Sequence, residues 1–469
     1  MMESLLDRPL ELEPAVVDIS GMGDPESIFS RLYHLPWSAF LDSSLTMQGY
    51  GENSFIGFDP YLVLLHREGE TLQLRRGGGA EQSVEHPLRA LRRVLGARRL
   101  AASDPTLPPF AGGAIGWFAY ELGRYIERLP ATVTDDIGLP EMALAFYDRV
   151  VAHHHPSSRT YLILSGADDR RRAEEEALRR LEADPVAPKW NEPDGPAGFT
   201  SNFTHAEYLE AVRRVKEYIM AGDIYQANLT QRFTTLLRQH PWEMYQRLRR
   251  VNAAPFSAYL NFGEGIVCSS SPERFLKVEG RRVETRPIKG TRKRSDDPEE
   301  DARLREELRA SAKDRAELSM IVDLERNDLG RVCEYGSVRV EEHAVIESYA
   351  TVHHLVSTVT GTLHQGKDEA DLLRATFPGG SITGAPKIRS MEIIDELEPT
   401  ARSVYTGSIG YLGFNGRSDL NIAIRTIIVR GERAYFQVGG GIVADSSPQD
   451  EYEETLHKGR ALFAALSPD

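Results

Sequence analysis

The strongest constraint on the fold is that strand-like segments follow one another along this chain without a helix between each pair. Short apolar stretches are separated by turns rich in glycine and proline, as in YLVLLHRE (61–68), TLQLRR (71–76), FSAYLNF (256–262), NIAIRTIIVR (421–430) and RAYFQVGG (433–440). A parallel doubly wound sheet needs strands that alternate strictly with helices. The irregular order therefore predicts an α+β fold built on antiparallel sheets.

A change of composition near residue 186 predicts two regions. Residues 183–199 hold four prolines in seventeen positions and show almost no periodicity. We interpret 186–200 as a linker between a strand-rich N-terminal region at 1–185 and a second region at 201–469. A chain of 469 residues is long enough for two or three domains, or for one large unit made of two parts.

Composition excludes several classes of protein. The chain has 56 Lys and Arg against 70 Asp and Glu, a net charge of −14, which disfavours nucleic acid as the main ligand. Two cysteines, Cys268 and Cys333, are too few for a disulfide framework or a cysteine-rich metal cluster and fit a reducing cytosol. The acidic start MMESLLDRPLELE does not resemble a signal peptide, and no apolar run reaches membrane-spanning length. We expect a cytoplasmic protein without a membrane partner.

Two predicted helices each carry a pair of acids on one face. Asp314 and Glu317 are three residues apart in SAKDRAELSMIVDLERNDLG, and Glu451 and Glu454 repeat that spacing near the C-terminus. Acids in a first turn also suit the helix dipole, so each pair alone is explained by helix stability. If the two pairs converge, four carboxylates without a thiol would form an oxygen-rich site that suits Mg²⁺.

Glycine-rich turns offer two places where backbone can approach a ligand. In FPGGSITGAPKIR, Gly379 and Gly384 have the spacing of a phosphate loop, but Ala385-Pro386 stands where Lys-Ser/Thr is required. We expect instead a turn that enters a helix capped by Thr383 or Gly384, able to hold a carboxylate by backbone N–H groups. Residues 439–441, three glycines after a strand, form the second place, although tight turns alone would also account for such glycines.

The basic segment RRVETRPIKGTRKR (281–294) has two readings. It is either a solvated edge strand protected by its charges, or the carrier of a nucleophile, Lys289. In the second reading, the like charges of neighbouring residues should favour the free amine of Lys289. These neighbours are Arg286, Arg292, Lys293 and Arg294. Glu273 in SSSPERFLKV and His354 in VHHLVS are further candidates, although such residues are usually a solvated acid and a core histidine. The residues alone predict a carboxylate-lined, anion-receiving, Mg²⁺-dependent site.

Taken together, the ordered motifs of the chain resemble the chorismate-utilising enzymes. The motifs are GGAIGWFAYELGR (112–124), SPERF (271–275), RPIKGT (286–291), AELSMIVDLERNDLGR (316–331), FPGGSITGAPKIRSME (377–392), YTGSIGY (405–411), IRT (424–426) and GGGIVADSSPQDEYEET (439–455). The match is dense from about residue 200 onward and thinner before it. The resemblance implies an α/β sandwich of antiparallel sheets packed face to face with helices outside, in which the N-terminal and C-terminal regions interleave.

The resemblance also implies how the substrate is held. Mg²⁺ would bind the ring carboxylate of chorismate, with Glu317 and Glu454 as direct ligands and Asp314 and Glu451 acting through water. The residues implied to receive the enolpyruvyl carboxylate are Tyr405, Arg425 and the backbone around Gly439 and Gly441, while Ser381 supplies a hydroxyl. Glu273 matches the general acid that protonates the departing C4 hydroxyl, and His354 matches the active-site histidine.

Two positions distinguish members of the family. Members that add water carry Lys at the position of Gln226, and a neutral amide cannot activate water, so the resemblance implies ammonia as the nucleophile. Members that aminate C2 carry Ala at the position of Lys289. The lysine would attack C2 as the C4 hydroxyl leaves, and ammonia would then attack C4 and expel the lysine. The product would be 4-amino-4-deoxychorismate, the precursor of 4-aminobenzoate and folate.

Partners and alternatives follow from the same resemblance. Neither cysteine lies in a nucleophile context, so we expect a separate glutamine amidotransferase subunit to supply ammonia within a heterodimer. The first alternative is amination at C2 with loss of pyruvate, which gives anthranilate. The second is a catalytically silent partner of the amidotransferase. The sequence leaves open whether an amino acid such as tryptophan binds a regulatory pocket in the N-terminal region.

Overall fold

The structure is a computed structural model that describes residues 9–46, 50–100, 107–166, 169–195, 198–349 and 352–467. The first eight residues, on which the expectation about a signal peptide partly depends, lie outside these ranges. Among the helices of the described ranges, none combines the length and the apolar character needed to cross a bilayer.

Twenty-six strands and ten α-helices are assigned in the described ranges. The strands are β1 (Leu10–Leu12), β2 (Ala15–Asp18), β3 (Ser38–Asp42), β4 (Asn53–Gly57), β5 (Leu62–Arg67), β6 (Glu70–Arg75), β7 (Ala80–Ser83), β8 (Arg98–Leu100), β9 (Gly113–Phe118), β10 (Met142–Tyr147), β11 (Arg149–His154), β12 (Arg159–Leu164), β13 (Thr200–Ser201), β14 (Gln226–Leu236), β15 (Phe256–Asn261), β16 (Ile266–Ser271), β17 (Arg274–Glu279), β18 (Arg282–Arg286), β19 (Ile288–Lys293), β20 (Arg339–Ser348), β21 (Val352–Thr362), β22 (Gly384–Ala385), β23 (Ser408–Gly413), β24 (Arg417–Asn421), β25 (Thr426–Arg430) and β26 (Arg433–Ile442). The helices are α1 (Pro25–Phe29), α2 (Pro87–Gly96), α3 (Arg170–Leu181), α4 (His205–Ala221), α5 (Pro241–Val251), α6 (Pro298–Ala310), α7 (Ala312–Gly330), α8 (Glu369–Thr376), α9 (Lys387–Leu397) and α10 (Pro448–Leu466).

Two twelve-stranded sheets form the body of the molecule. One has the order β19-β21-β18-β17-β24-β23-β9-β10-β5-β6-β7, with β20 paired to β21. The other has the order β13-β14-β26-β25-β16-β15-β3-β4-β11-β12-β2, with β22 paired to β14. The pairs within both sheets are antiparallel, as in β9 with β23 and β3 with β15, which confirms the predicted α+β class. Each sheet contains strands from both sides of the segment 186–200.

The hydrophobic core lies between the facing sheets. Trp117 on β9 stacks with Phe262, which follows β15 of the other sheet, at 5.1 Å between ring centroids. Phe55 on β4 meets Tyr411 on β23 at 5.3 Å in an edge-to-face arrangement. Contacts of this kind between the inner faces of two sheets define a β-sandwich. The acid-bearing helices pack on these sheets, α10 on β26 and α7 on β21.

Local signals in the sequence account for the helices that border the site. The N-cap Thr204 of α4 forms a reciprocal capping box with Glu207, and Gly222 ends the helix with a φ of 84°. The side chain of Ser311 caps α7 by accepting the N–H of Asp314. α10 begins at Pro448, a residue favoured in the first turn because it has no N–H to satisfy.

The helix expected to be capped by Thr383 or Gly384 begins later, at Lys387, so that expectation was wrong. Gly384 and Ala385 are extended and form β22, which pairs with the start of β14. The residue before a proline is disfavoured in the helical conformation, so Pro386 delays the start of α9. The hydroxyl of Thr383 donates instead to the carbonyl of Gly379 at 3.0 Å.

Candidate active site

The edge strand β19 carries Lys289 into the interior of the molecule. Its Nζ donates a hydrogen bond to the carbonyl oxygen of Ser381 at 3.0 Å. One residue earlier, the N–H of Ile288 donates to Oε1 of Glu273 at 3.4 Å. The amine and this carboxyl are close enough for their charges to act on each other. The RPIKGT and SPERF segments therefore bring a lysine and a glutamate to one place.

The pKa of Lys289 is lowered, as predicted, but the predicted cause was wrong. Burial is the main cause, and the charge of Lys458 acts in the same direction. The three arginines among the basic neighbours are paired with acids: Arg286 with Glu347 at 2.6 Å, Arg292 with Glu307 at 2.7 Å and Arg294 with Asp301 at 2.7 Å. Sequence proximity suggested a cluster of like charges, whereas the fold turns these side chains toward counter-charges elsewhere.

The acid helices α7 and α10 approach the same lysine from two sides. The carboxylates of Glu317 and Glu454 both act on the charge of Lys289 and on each other. Burial raises the pKa of Glu317, whereas the ammonium of Lys458, 2.6 Å from Glu454, lowers the pKa of Glu454. At Gly440 on β26, an added Cβ would lie 2.9 Å from Oε2 of Glu451, so the glycine run allows this close approach.

The second acid on each helix, Asp314 on α7 and Glu451 on α10, interacts with other protein groups. Asp314 is 3.3 Å from Arg292, and Glu451 accepts a hydrogen bond from the hydroxyl of Ser446 at 2.6 Å. Gly290, next to Lys289, has a φ of 75°, and a Cβ there would lie 2.8 Å from Cγ of Asp314. Protein groups therefore set the positions of Asp314 and Glu451, and Glu451 is buried.

The acids of the site are donors of the kind that Mg²⁺ prefers. Within the described part of the chain, no three His, Cys, Asp or Glu side chains form a ready-made metal cluster. Mg²⁺ is usually bound by one or two carboxylates and completed by waters and substrate oxygens, and it does not require such a cluster. Glu317 and Glu454, the two acids of α7 and α10 that act on the charge of Lys289, supply oxygen ligands of the right number and type. The residues present fit the ion.

A second group of residues suits an anion. In the described ranges the guanidinium of Arg425 has no hydrogen bond or ion pair, and its charge interacts with Tyr405 and with His354. Nδ1 of His354 lies 2.9 Å from the hydroxyl of Thr291 on β19, which links this group to the lysine strand. Burial, reinforced by Arg425, lowers the pKa of His354 to about 4. A neutral imidazole beside an unpaired guanidinium leaves the positive charge available to a carboxylate ligand.

Gln226 is enclosed at the start of β14. It is 0% exposed, and neither its amide nitrogen nor its amide oxygen has a hydrogen-bond partner among the described residues. The hydroxyl of Ser381 is also buried, and it makes no well-formed hydrogen bond although it lies close enough to the carboxyl of Glu273 to lower the pKa of that group. Buried polar groups are usually paired, so these unpaired groups mark a place where a ligand or water is expected. The carbonyl of Gly439 is already used, because it accepts from Nζ of Lys458 at 3.0 Å.

Sequence reasoning missed Lys458. This lysine contacts Glu454 and Gly439, and its charge acts on both Lys289 and Glu273. Lys458 follows Glu454 by four residues, which places both side chains on one helix face. That spacing was the feature of the sequence from which the contact with Glu454 could have been predicted.

A separate cavity of about 220 Å³ lies between the sheets. Asp42 and Phe55 from the N-terminal region and Arg274 and Tyr411 from the C-terminal region contribute to its walls. None of the predicted site residues lines it. A regulatory ligand of the N-terminal region, left open by the sequence, would be sought in this cavity.

The antiparallel sandwich and its site define a class of protein: an enzyme fold that places a buried amine and a buried acid beside further carboxylates and an unpaired guanidinium. Comparisons with known proteins narrow this class. The family model described as chorismate binding enzyme matches residues 41–464. The chain belongs to this family, and the resemblance inferred from the motifs is confirmed.

Three relatives illustrate the similarity. The chain is 44% identical to aminodeoxychorismate synthase component 1 of Klebsiella aerogenes, over 97% of this chain and 99% of the relative. It is 45% identical to anthranilate synthase component 1 of Thermus thermophilus, over 84% and 87% of the two chains. The crystal structure of anthranilate synthase component I from Streptococcus pneumoniae TIGR4 superposes with a TM-score of 0.77 at 32% identity, covering 89% of this chain and 93% of that chain. The shared fold confirms the predicted sandwich architecture.

Proposed function

We propose that this chain is an aminodeoxychorismate synthase component I, which converts chorismate and ammonia to 4-amino-4-deoxychorismate for the synthesis of 4-aminobenzoate and folate. The observation that carries the proposal is the position of Lys289, whose Nζ lies beside Ser381 and within electrostatic reach of Glu273. Burial lowers the pKa of this lysine, which favours the free amine needed by a nucleophile. The full-length similarity to the Klebsiella aerogenes relative supports the same assignment.

The reaction is two displacements with allylic shift. The amine of Lys289 forms a bond to C2, both conjugated double bonds of the ring shift by one position, and the C4–O bond breaks as Glu273 gives its proton to the departing hydroxyl, which leaves as water. Ammonia then attacks C4, both double bonds shift back, and the C2–N bond to Lys289 breaks. A proton from the ammonia nitrogen restores Glu273. The net change replaces the C4 hydroxyl by an amino group and releases one water.

The remaining residues hold the substrate. Glu317 and Glu454 would bind Mg²⁺ directly and Asp314 and Glu451 through water. The ion, when bound, supplies positive charge to the ring carboxylate. The enolpyruvyl carboxylate would be received by Arg425, Tyr405, the hydroxyl of Ser381 and the backbone of Gly439 and Gly441. His354, kept neutral at physiological pH, would offer an imidazole to the ring without competing for its carboxylates.

Ammonia would come from a separate glutamine amidotransferase. Glutaminase chemistry needs a thiolate, and burial raises the pKa of Cys333 to about 11 and that of Cys268 well above its ordinary value. These are the two cysteines of the sequence, and both are buried. This supports a heterodimer in which the present chain accepts ammonia and the partner releases it.

Product analysis tests the proposal. The purified chain is incubated with chorismate, an ammonium salt and Mg²⁺, and the products are identified by mass with and without an added lyase that releases pyruvate. We expect a compound with the mass of aminated chorismate, which the lyase converts to 4-aminobenzoate. Direct formation of fluorescent anthranilate would establish the C2-aminating alternative. Absence of turnover in wild type and in Glu273→Ala alike would favour a silent partner of the amidotransferase.

A further inference from the structure

The segment 377–386, which connects α8 to α9, contacts the amine of Lys289 through its backbone. The carbonyl oxygen of Ser381 accepts the hydrogen bond from Nζ of Lys289 at 3.0 Å. The hydroxyl of the same serine acts on the carboxyl of Glu273. Because a backbone carbonyl makes the contact, the groups that fix the backbone of this segment also fix the position of the amine.

One ammonium group joins the two ends of this segment. Lys387 is the first residue of α9 and follows the segment directly. Its Nζ donates a hydrogen bond at 2.7 Å to the carbonyl oxygen of Thr376, the last residue of α8. The same Nζ donates to Oδ2 of Asp328 on α7 at 2.5 Å. A single side chain therefore ties the residue before the segment to the residue after it, and ties both to a third helix.

The ion pair of Lys387 and Asp328 is largely buried. The exposed fractions of the two side chains are 13% and 8%. Removing an ammonium and a carboxylate from water costs free energy that their attraction often only offsets, so a buried ion pair is weak evidence for added stability. Charge-assisted hydrogen bonds are short and directed, and they fix a geometry. The arrangement that this pair fixes is therefore the better account of it.

The helix α7 connects this ion pair to the rest of the site. A Cβ at Gly380 would lie 2.8 Å from Cδ2 of Leu324, so the segment runs against α7 one turn before Asp328. Three turns before Asp328, the same helix carries Glu317, whose charge acts on Lys289. The acid that would bind Mg²⁺ and the acid that anchors the segment thus belong to one rigid element.

The later part of the segment has anchors of its own. The N–H of Asn228 donates to the carbonyl of Thr383 at 2.8 Å, and the guanidinium of Arg402 donates to the carbonyl of Ile382 at 3.1 Å. These contacts follow Ser381 in the chain, whereas the ammonium on α9 also holds the end that precedes it. Loss of that ammonium should therefore loosen the approach to Ser381 without releasing the whole segment.

We propose that Lys387 and Asp328 are positioning residues for the nucleophile. Their ion pair fixes the segment 377–386 on α7, and the segment holds the amine of Lys289 through the carbonyl of Ser381. The inference rests on the proposed role of Lys289 as the nucleophile. Most of the groups proposed to bind the substrate lie outside the segment, so loss of the ion pair should lower the rate of reaction more than the affinity for chorismate.

Rates counted per binding site test the inference. For wild type, Lys387→Met and Lys387→Arg, calorimetry with chorismate and Mg²⁺ in the absence of ammonia gives the number of sites per chain and their affinity. Initial chorismate consumption with an ammonium salt gives kcat. A role in folding alone would lower the number of sites and kcat together and leave kcat per site unchanged. We expect Lys387→Met to lose roughly tenfold or more in kcat per site, while the affinity changes by less than about threefold. Lys387→Arg, whose guanidinium can donate to the same two oxygens, should regain part of the loss.

Two further variants separate position from stability. Lys387→Met leaves the carboxylate of Asp328 buried without its cation, which is destabilising. The double variant Asp328→Leu/Lys387→Met removes both charges, and we expect it to show the same loss of kcat per site with a full number of sites. Arg389→Met, on the same helix, removes a cation that is paired with Glu392 at 2.8 Å and should leave kcat per site unchanged.

Several results would overturn the inference. One is a kcat per site in the double variant equal to that of wild type, and another is an equal loss in Arg389→Met. A weaker affinity for chorismate at unchanged kcat per site would also overturn it, because the segment would then position the substrate and not the amine. Failure of the proposed function is distinguishable: wild type would then form anthranilate, or Lys289→Ala would keep the wild-type rate.

Discussion

Gln226 and Gly441 pack so closely that a β-carbon at position 441 would clash with the amide nitrogen of Gln226. The two residues lie on the paired strands β14 and β26, two positions apart in register. The missing side chain at Gly441 therefore sets where the amide can lie. Because the amide has no hydrogen-bond partner among the described residues, its position is fixed by packing alone.

Gly441→Ala should impair the use of ammonia. The new methyl group must displace the amide of Gln226, and a misplacement of about 1 Å near reacting groups can cost up to about 100-fold in rate. We expect kcat/KM for ammonia to fall by roughly tenfold or more, measured by initial rates at varied ammonium. Gly330→Ala is the control, because a Cβ at this helical glycine meets nothing within 4 Å. Equal kinetics for both variants would show that the packing of Gln226 does not matter.

Lys289→Ala should remove the covalent route. At low ammonia we expect product formation to fall by at least about 100-fold, while Mg²⁺ binding measured by calorimetry changes little. Lys289→Arg should be equally inactive, because a guanidinium does not deprotonate. Because the pKa of Lys289 is lowered, its free amine forms at a lower pH than that of an ordinary lysine. At constant free ammonia, wild-type activity should therefore already rise with pH below the pKa of an ordinary lysine. Lys293→Ala, an exposed neighbour on β19, is the control, and a rate for Lys289→Ala equal to it would refute covalent catalysis.

The sequence was most informative where a local rule decides the structure. The antiparallel class followed from the order of strand-like segments, and the ends of α4 followed from Thr204 and Gly222. It was least informative about charge, since whether an arginine beside Lys289 is free or paired depends on acids far along the chain, such as Glu347 for Arg286.

The same limit explains why Lys458 was missed. Its spacing from Glu454 shows which helix face it shares, but not that its charge acts on Lys289 and Glu273 across the site. The late start of α9 could have been found, because the restriction imposed by Pro386 is local.

Gln226→Lys should produce isochorismate. Gln226 is 0% exposed, and burial lowers the pKa of a lysine, so the new amine could accept a proton from water and activate it. The side product is separated by chromatography and identified by mass and by its distinct elution from chorismate. Gln226→Met, which fills the space without a base, should give none. Failure to find isochorismate with Gln226→Lys would mean that this position does not select the nucleophile.

Glu454→Gln should raise the Mg²⁺ requirement. An amide oxygen is a weaker ligand than a carboxylate, and the variant also loses the charge that pairs with Lys458. We expect the Mg²⁺ concentration for half-maximal activity to increase by at least about tenfold, with a matching loss of affinity by calorimetry. Glu453→Gln, one residue earlier and exposed, should behave as wild type. An unchanged requirement in Glu454→Gln would remove this residue from the ligand set.

Arg402→Met should destabilise the fold more than any surface change. Arg402 is 1% exposed and donates to Glu398 at 2.7 and 2.9 Å, to the carbonyl of Asn228 at 2.6 Å and to that of Ile382 at 3.1 Å. Removing one partner of a buried ion pair leaves the other charge uncompensated, which costs about 3–5 kcal/mol. Urea unfolding should show this loss, and the double variant Arg402→Met/Glu398→Leu should lose less than the two single variants added together. Arg171→Ala, in an exposed pair on α3, should leave the unfolding curve unchanged. An unfolding curve for Arg402→Met that is equally unchanged from wild type would mean that the buried pair does not hold the segments of Asn228 and Ile382 beside the site.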